Sequence, residues 1–251
     1  MPNDMELNFE NIITDYLRKK SEEDRKELKF GKYSASSLGI CVRKNFYSYL
    51  YPSEFELSGD KLRIFAAGNA MHEWVAKVLA NNSYTELIDS EKELAILDVE
   101  NDILISGRLD DLIMLKNSAS EERIIVEVKS TRSLAYLDAP QEQHLLQVQI
   151  YLKALSTYNI KKAVLLYIEK NSLKTRSFDV YYDHALFRKA IDRARTLHGH
   201  LLDKTLPPAE AKLDKKQSYQ CGYCEFRERC DSDCHDEANR NKSQAFLKPN
   251  P

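Results

Sequence analysis

An acidic and a basic residue interrupt an otherwise apolar stretch in the middle of the chain. In RIIVEVKST, Glu127 and Lys129 are two residues apart, so on a strand they share one face while Val126 and Val128 share the other. Burying a charge is costly unless the charge is paired or binds a metal. The two residues are therefore either a solvated ion pair on an edge strand or part of a buried site that does chemistry.

Two adjacent aspartates precede this stretch. Asp110 and Asp111 lie in GRLDDLIML, which reads as a strand, and a polar loop over residues 116–122 separates it from RIIVEVKST. If the two strands form a hairpin, one aspartate lies close to Glu127. Neighbouring strand residues face opposite sides, so only one can do so, and the sequence leaves open which. Two carboxylates beside Lys129 would make a divalent-metal site with a cation next to it.

Two predicted helices supply further polar side chains. One spans residues 60–81 and carries His72, although a lone helical histidine is more often a packing residue than a ligand. The other starts near Pro140 and carries Gln147 and Tyr151, which share a face because they are four residues apart. That face is either a polar edge at the surface or a place to hydrogen-bond a phosphodiester backbone.

A third predicted helix, over residues 33–51, combines basic and aromatic residues. Arg43 and Lys44 precede Phe46 and Tyr47 in it, and such a helix can contact phosphates and stack on bases. The alternative is an ordinary helix whose aromatic side chains face the core and whose cations face water.

Five cysteines occur, one before the predicted core and four near the C-terminus: Cys41, Cys221, Cys224, Cys230 and Cys234. In a reducing compartment such a cluster indicates a metal or an iron–sulfur cluster rather than disulfides. Spacing alone favours two arrangements equally. The four C-terminal thiolates could bind zinc by themselves, or an iron–sulfur cluster could be held by a set that includes Cys41.

The composition limits the classes of function. The chain has 251 residues, 43% of them hydrophobic, and a formal net charge of −2. One substantial core is possible, and any nucleic-acid binding would depend on local basic patches. The apolar runs are too short for a membrane span, no signal peptide is evident, and no Walker or Rossmann fingerprint occurs. We therefore expect a cytoplasmic location.

The hydrophobic periodicity predicts a sheet with helices packed on it rather than a long βαβ repeat. Helices are predicted over residues 8–28, 33–51, 60–81, 141–157 and 184–202, and strands over residues 85–97, 102–115, 123–131, 162–169 and 174–182. The expected regions are an N-terminal helical region with Cys41 (1–58), a core (59–204), a cysteine-rich segment (205–236) and a disordered tail (237–251).

These motifs together resemble the PD-(D/E)XK nucleases of the RecB-like branch. The resemblance rests on the order and spacing of His72, Asp110, Glu127-Val128-Lys129 and Gln147-Val148-Gln149-Ile150-Tyr151. The chain is also similar to the CRISPR-associated exonucleases of the fourth Cas class and to the iron–sulfur nuclease domains of helicase–nuclease machines. Those proteins pair one cysteine ahead of the core with a C-x2-C-x5-C set after it. Leu109 stands where the family motif has proline.

The resemblance implies an α/β fold, a restriction-endonuclease-like mixed sheet flanked by helices, with an iron–sulfur clasp joining the N- and C-terminal segments. It implies that His72, Asp110, Glu127 and the Val128 carbonyl bind Mn or Mg, and that Lys129 orients or deprotonates the attacking water. It implies DNA contacts by Gln147 and Tyr151, to which we add Arg43 and Lys44 as expected contacts. It further implies a 4Fe–4S cluster on four thiolates: Cys41, Cys221, Cys224 and Cys230. The alternative cofactor is zinc on Cys221, Cys224, Cys230 and Cys234.

The function implied by the resemblance is a metal-dependent DNA exonuclease. Its substrate would be single-stranded DNA, in CRISPR spacer acquisition or related DNA processing. CRISPR integrase proteins would be its partners, and the role is compatible with an oligomeric state. One alternative is a DNA-end-binding subunit of a spacer-acquisition complex in which trimming is minor. The other is a virus-encoded nuclease that serves recombination or replication.

Overall fold

The computed structural model describes residues 7–24, 27–52, 57–116 and 122–235. The helices that we number are α1 (Phe9–Glu23), α2 (Val42–Leu50), α3 (Gly59–Ala80), α4 (Glu142–Ala154), α5 (His184–Asp203) and α6 (Glu210–Leu213). Residues 227–235 are also helical. The predicted tail over residues 237–251, and most of the loop predicted over residues 116–122, lie outside the described residues.

A mixed six-stranded sheet forms the centre of the molecule, which confirms the predicted sheet flanked by helices. Its strands are β1 (Lys32–Ser34), β2 (Thr85–Asp98), β3 (Ile103–Leu115), β4 (Arg123–Thr131), β5 (Lys162–Glu169) and β6 (Thr175–Tyr181). The order is β1-β3-β4-β5-β6, and β2 pairs with β3. The β1–β3 and β4–β5 pairs are parallel, and the other pairs are antiparallel.

The two faces of the sheet have separate apolar clusters. Ile125 of β4 packs in the larger cluster with residues of α2, α4 and α5. Val126 and Val128 point to the other face, where they form a smaller cluster with Val75 of α3. Alternation along β4 therefore puts Glu127 on the face covered by α4, with the helix that carries His72 over the opposite face.

Helix α4 is buried on all sides in its middle. Every residue from Leu146 to Leu152 is buried, including the polar residues Gln147, Gln149 and Tyr151. Buried polar groups require hydrogen-bond partners. The side chain of Gln149 finds two at the end of β6, because it donates to the carbonyl of Tyr181 at 3.0 Å and accepts from the backbone N–H of Asp183 at 2.8 Å.

The helix predicted over residues 33–51 is wrong in its first part. Strand β1 pairs there with β3, and α2 begins only at Val42. Tyr33 is buried in the core by this pairing, so a tertiary contact overrides the local helical pattern. No helix in the described part of the chain is long and apolar enough to cross a membrane.

Gly39 allows the segment before α2 to lie against the backbone of α4. A Cβ at this position would be 2.2 Å from the Cα of Gln143, a backbone atom that cannot rotate away. We therefore predict that Gly39→Ala lowers the free energy of unfolding by about 1–3 kcal/mol. Gly199→Ala is the matched control, because nothing lies within 4 Å of the added methyl group.

The control should instead be stabilising by about 0.5–1 kcal/mol, because alanine is the better residue inside a helix. Urea unfolding of both variants measures the two changes. Equal effects of the two substitutions would contradict the close approach of Gly39 to α4.

Candidate active site

The candidate site lies where β3 and β4 part. The two strands pair from Met114–Arg123 only as far as Asp111–Val126, whereas β4 continues alongside β5 to Thr131. Beyond the last β3–β4 pair, a side chain takes the place of the strand partner. One carboxylate oxygen of Asp110, Oδ2, accepts a hydrogen bond from the backbone N–H of Val128 at 2.7 Å.

The structure separates the two adjacent aspartates. Asp110 turns toward the gap, where its Oδ1 lies 3.1 Å from Nδ1 of His72. Asp111 points to the other side, is buried, and accepts a hydrogen bond from the Ser90 hydroxyl at 2.9 Å. Burial raises the pKa of Asp111 to about 6, although the Ser90 hydrogen bond opposes the shift. Asp110 is thus the aspartate that shares the gap with His72.

Glu127 is almost fully buried, with 1% of its surface exposed. Its Oε1 accepts from the Lys129 ammonium at 2.8 Å and from the Gln147 amide at 2.6 Å. Burial raises the pKa of Glu127, the charge of Lys129 opposes the shift, and the charge of Asp110 adds to it. The second oxygen, Oε2, is buried and has no hydrogen-bond partner among the described residues.

Gln147 and Tyr151 hold this arrangement from α4. The Gln147 amide oxygen accepts from Lys129 at 3.0 Å, and its amide nitrogen donates to the Tyr151 hydroxyl at 2.9 Å. That hydroxyl in turn donates to the backbone carbonyl of Arg108 at 3.1 Å. Both side chains are buried and directed toward Glu127 and Lys129, and the DNA contacts expected of them stay a prediction.

The close packing of Tyr151 on β3 explains why residue 107 is glycine, a functional position that the sequence did not lead us to predict. A Cβ at Gly107 would lie 2.7 Å from the Tyr151 ring. A glycine inside a strand often marks close approach by another group, so the signal was present in GRLDD.

His72 is bound to a carboxylate rather than packed in an apolar core. Its side chain is 33% exposed and forms an ion pair with Asp110 when protonated. Burial lowers the pKa of His72, but the hydrogen bond and charge of Asp110 outweigh this effect, so the net pKa is raised. The structure therefore brings together His72, Asp110, Glu127, Lys129, Gln147 and Tyr151.

These side chains are not arranged around one common position for an ion. No group of three or more histidine, cysteine, aspartate or glutamate side chains in the described residues is placed to hold one metal ion. His72 and Asp110 are hydrogen-bonded to each other, and Glu127 is engaged through Oε1 only. Binding an ion here would require these groups to exchange partners.

The structure places Arg43 and Lys44 away from this site. Arg43 is 2% exposed, and its Nε donates to the carbonyl of Pro207 at 2.6 Å. The Lys44 ammonium forms an ion pair of 2.8 Å with Glu225, whose side chain is 7% exposed. Both cations have partners inside the protein, and the DNA contacts expected of them stay predictions.

Four of the five cysteines line one pocket between α2 and the cysteine-rich segment, which we call the thiol pocket: Cys41, Cys221, Cys224 and Cys230. All five cysteines are free thiols. Cys234 does not line the pocket, and its Sγ accepts hydrogen bonds from Arg43 at 3.3 Å and Lys212 at 3.5 Å. The N–H of Cys41 is held by the side chain of Gln220 at 2.8 Å, which ties α2 to this segment.

Comparison with known proteins identifies the family. The model of the PD-(D/E)XK nuclease superfamily matches residues 54–231, a span that contains every residue of the candidate site. The chain belongs to this superfamily. No curated protein sequence matches it significantly.

Solved structures show likeness in fold at low sequence identity. The crystal structure of SSO0001 has a TM-score of 0.59 and 22% identity, and the match covers 87% of this chain and 96% of that one. The structure of LHK-Exo in complex with dAMP has a TM-score of 0.48 and 12% identity, and the match covers 70% of this chain and 90% of that one. A phage-related exonuclease from Haemophilus somnus 129PT has a TM-score of 0.45 and 14% identity, and the match covers 69% of this chain and 96% of that one. The first likeness shows the shared fold, and the two lower scores add nothing to it.

A half-buried histidine in α4 makes stability depend on pH. Nδ1 of His144, in the first turn of α4, lies 2.8 Å from the Tyr167 hydroxyl. Burial, with a smaller effect from the charge of Lys129, lowers the pKa of His144 from 6.5 to about 3. A histidine whose pKa is lowered by folding stabilises the fold above its unfolded-state pKa and loses that contribution as the pH falls.

We predict that wild type loses about 1.4 kcal/mol of unfolding free energy per pH unit below pH 6.5 through this group. Urea unfolding between pH 7 and 5 should show a shallower slope for His144→Gln. Tyr167→Phe should keep most of the slope, because burial rather than the hydrogen bond is the main cause. An unchanged slope in His144→Gln would contradict the assignment.

Proposed function

We propose that this chain is a metal-dependent deoxyribonuclease that hydrolyses DNA from its ends and acts on single strands. The observation that carries the proposal is the convergence of Asp110, Glu127 and Lys129 where β3 and β4 part. Membership of a nuclease superfamily supports phosphodiester hydrolysis as the reaction. Exonuclease activity and the preference for single strands rest on the resemblance of the motifs.

The residues in the gap suit a divalent cation. A buried carboxylate oxygen without a donor is costly, and Oε2 of Glu127 is such an atom. His72, Asp110, Glu127 and the Val128 carbonyl would hold Mn or Mg, and the imidazole nitrogen favours Mn relative to an all-oxygen site. When bound, the ion would offset the negative charge of the phosphate and lower the pKa of a bound water.

The protein's own groups would position the reactants. Lys129 is held by Glu127 and Gln147, so its ammonium stays beside the carboxylates instead of sampling solvent. There it can orient the attacking water and stabilise charge that develops on the phosphate. Gln147 contacts Lys129 and Glu127 from α4, and Tyr151 supports Gln147, so we propose that both also act on the reaction through Lys129 and Glu127.

The thiol pocket supports an iron–sulfur cluster on Cys41, Cys221, Cys224 and Cys230. These four thiols share one pocket, and Cys234 stands outside it. A four-iron cluster spreads its thiolate ligands farther apart than one zinc ion does. The cluster would join α2 to the cysteine-rich segment as a clasp.

By the same resemblance, we propose a role in CRISPR spacer acquisition or related DNA processing, with DNA and CRISPR integrase proteins as partners. A second candidate is a DNA-end-binding subunit whose partner contacts matter more than cleavage. Helix α1 favours it, because it has no buried residue and exposes Phe9, Ile12, Ile13 and Tyr16. Tight binding of DNA ends with little cleavage would favour this second candidate.

The two aspartates provide a matched test of the active site. We predict that Asp110→Asn and Lys129→Ala slow digestion of end-labelled single-stranded DNA in Mn by about 100-fold or more. Asp111→Asn should stay within about fivefold of wild type, because Asp111 faces the opposite side and can keep its Ser90 hydrogen bond as an amide. The nuclease assignment fails if Asp110→Asn and Lys129→Ala digest DNA as fast as wild type.

The cysteines provide a second matched pair. We predict that Cys41→Ser loses bound iron and the visible absorption of anaerobically purified protein, whereas Cys234→Ser keeps both. The reverse result, or a colourless wild type that contains zinc and no iron, would contradict the cluster and support zinc on Cys221, Cys224, Cys230 and Cys234.

A further inference from the structure

A buried carboxylate joins the cysteine-rich segment to the helix that carries His72. The side chain of Glu225 is 7% exposed and lies between two ammonium groups. Its Oε2 is 2.8 Å from Lys44 of α2, and its Oε1 is 2.9 Å from Lys61 in the first turn of α3. Lys61 also donates to the carbonyl of Tyr223 at 3.0 Å. Buried ion pairs of this kind resist rearrangement, because removing one partner leaves a buried charge.

Lys61 and His72 lie on the same stripe of α3. They are 11 residues apart, with Gly68 between them at spacings of seven and four, so all three face nearly the same direction. Lys61 contacts Glu225, Gly68 faces the Ser130 side chain of β4, and His72 contacts Asp110. Helix α3 therefore links the cysteine-rich segment to the gap between β3 and β4.

The N-terminal half of α3 is also held by α1, because the Arg63 guanidinium donates to the Thr14 hydroxyl at 2.7 Å. The two buried residues of this helix are Leu62 and Val75, and Ile64 and Phe65 in its first half are half exposed. Val75 packs on the sheet and fixes the C-terminal half. The place of α3 at His72 therefore depends in part on what holds its first turn, where Leu62 is buried and Lys61 pairs with Glu225 of the cysteine-rich segment.

The position of Glu225 depends in turn on how the cysteine-rich segment is seated. Its neighbours in sequence are Cys224, which lines the thiol pocket, and Phe226, which is buried with its ring 5.6 Å from that of Tyr47 in α2. A change in what the thiols hold would thus move the carboxylate that braces α3.

We propose that Glu225 is a positioning residue that sets the place of His72, so that the affinity of the active site for its metal depends on the seating of the cysteine-rich segment. The inference rests on the proposed function, because the place of His72 affects metal affinity only if His72 is a ligand. Lys44, which we expected to bind DNA, acts here as the second cation on Glu225.

The test measures Mn²⁺ binding to the full chain without DNA, by titration calorimetry. Glu225→Gln keeps the shape of the side chain and removes its charge, and Lys61→Met removes the same contact from the α3 side, away from the thiols. We expect both variants to bind Mn²⁺ about tenfold more weakly than wild type, which is the usual cost of losing a group that orients a ligand. Glu228→Gln is the matched control, because Glu228 is exposed in the same segment, and it should bind within twofold.

The His72→Ala background separates positioning from a general loss of structure. There, adding Glu225→Gln should change Mn²⁺ affinity less than twofold, because the ligand that Glu225 positions is gone. The proposal is overturned if Lys61→Met binds Mn²⁺ as tightly as wild type does. This holds whether or not the cysteines of Glu225→Gln still bind their own metal. A tenfold further loss from Glu225→Gln in the His72→Ala background would also overturn it. A wild type that neither binds Mn²⁺ nor cleaves DNA would overturn the proposed function itself.

Discussion

The arrangement of the site depends on one hydrogen bond, from the backbone N–H of Val128 to the carboxylate of Asp110. A strand that loses its neighbour leaves a backbone donor that must find another acceptor. Asp110 supplies that acceptor, and in doing so it is held in the gap between β3 and β4. The other oxygen of this carboxylate lies 3.1 Å from Nδ1 of His72, which belongs to the helix on the opposite face of the sheet from Glu127. A local irregularity in pairing thus produces the place where side chains from α3, β3 and β4 meet.

Side chains from the two faces of the sheet have different structural roles in the candidate site. From α4, Gln147 and Tyr151 form a buried chain of hydrogen bonds that fixes Glu127 and Lys129. From the other face, α3 presents His72 on a helix whose first turn is braced by Glu225. Buried polar networks are costly when a member lacks a partner. Oε2 of Glu127 is such a member, and it is the atom that a cation would satisfy.

Much of the site could be predicted from sequence because its residues lie in strongly patterned elements. Strand β4 runs from Arg123 to Thr131, as its β-branched alternation predicted, and Glu127 and Lys129 do share a face. Which aspartate faces the gap could not be predicted, because it depends on where β3 and β4 stop pairing. The burial of Arg43 was also beyond local reasoning, since its carbonyl partner Pro207 lies 164 residues away in sequence. Strand β1 is three residues long and forms through its pairing with β3, so no periodicity marks it.

The central claim is that Glu127, Asp110 and His72 bind a divalent cation in the gap between β3 and β4. A crystal of the full chain soaked in Mn²⁺, with an anomalous difference map at the manganese edge, measures this directly. The account predicts a peak in the gap, about 2.1 Å from Oε2 of Glu127 and from an oxygen of Asp110, with His72 turned toward it. A map in which Mn²⁺ binds only elsewhere, with Oε2 of Glu127 still without a partner, would contradict it.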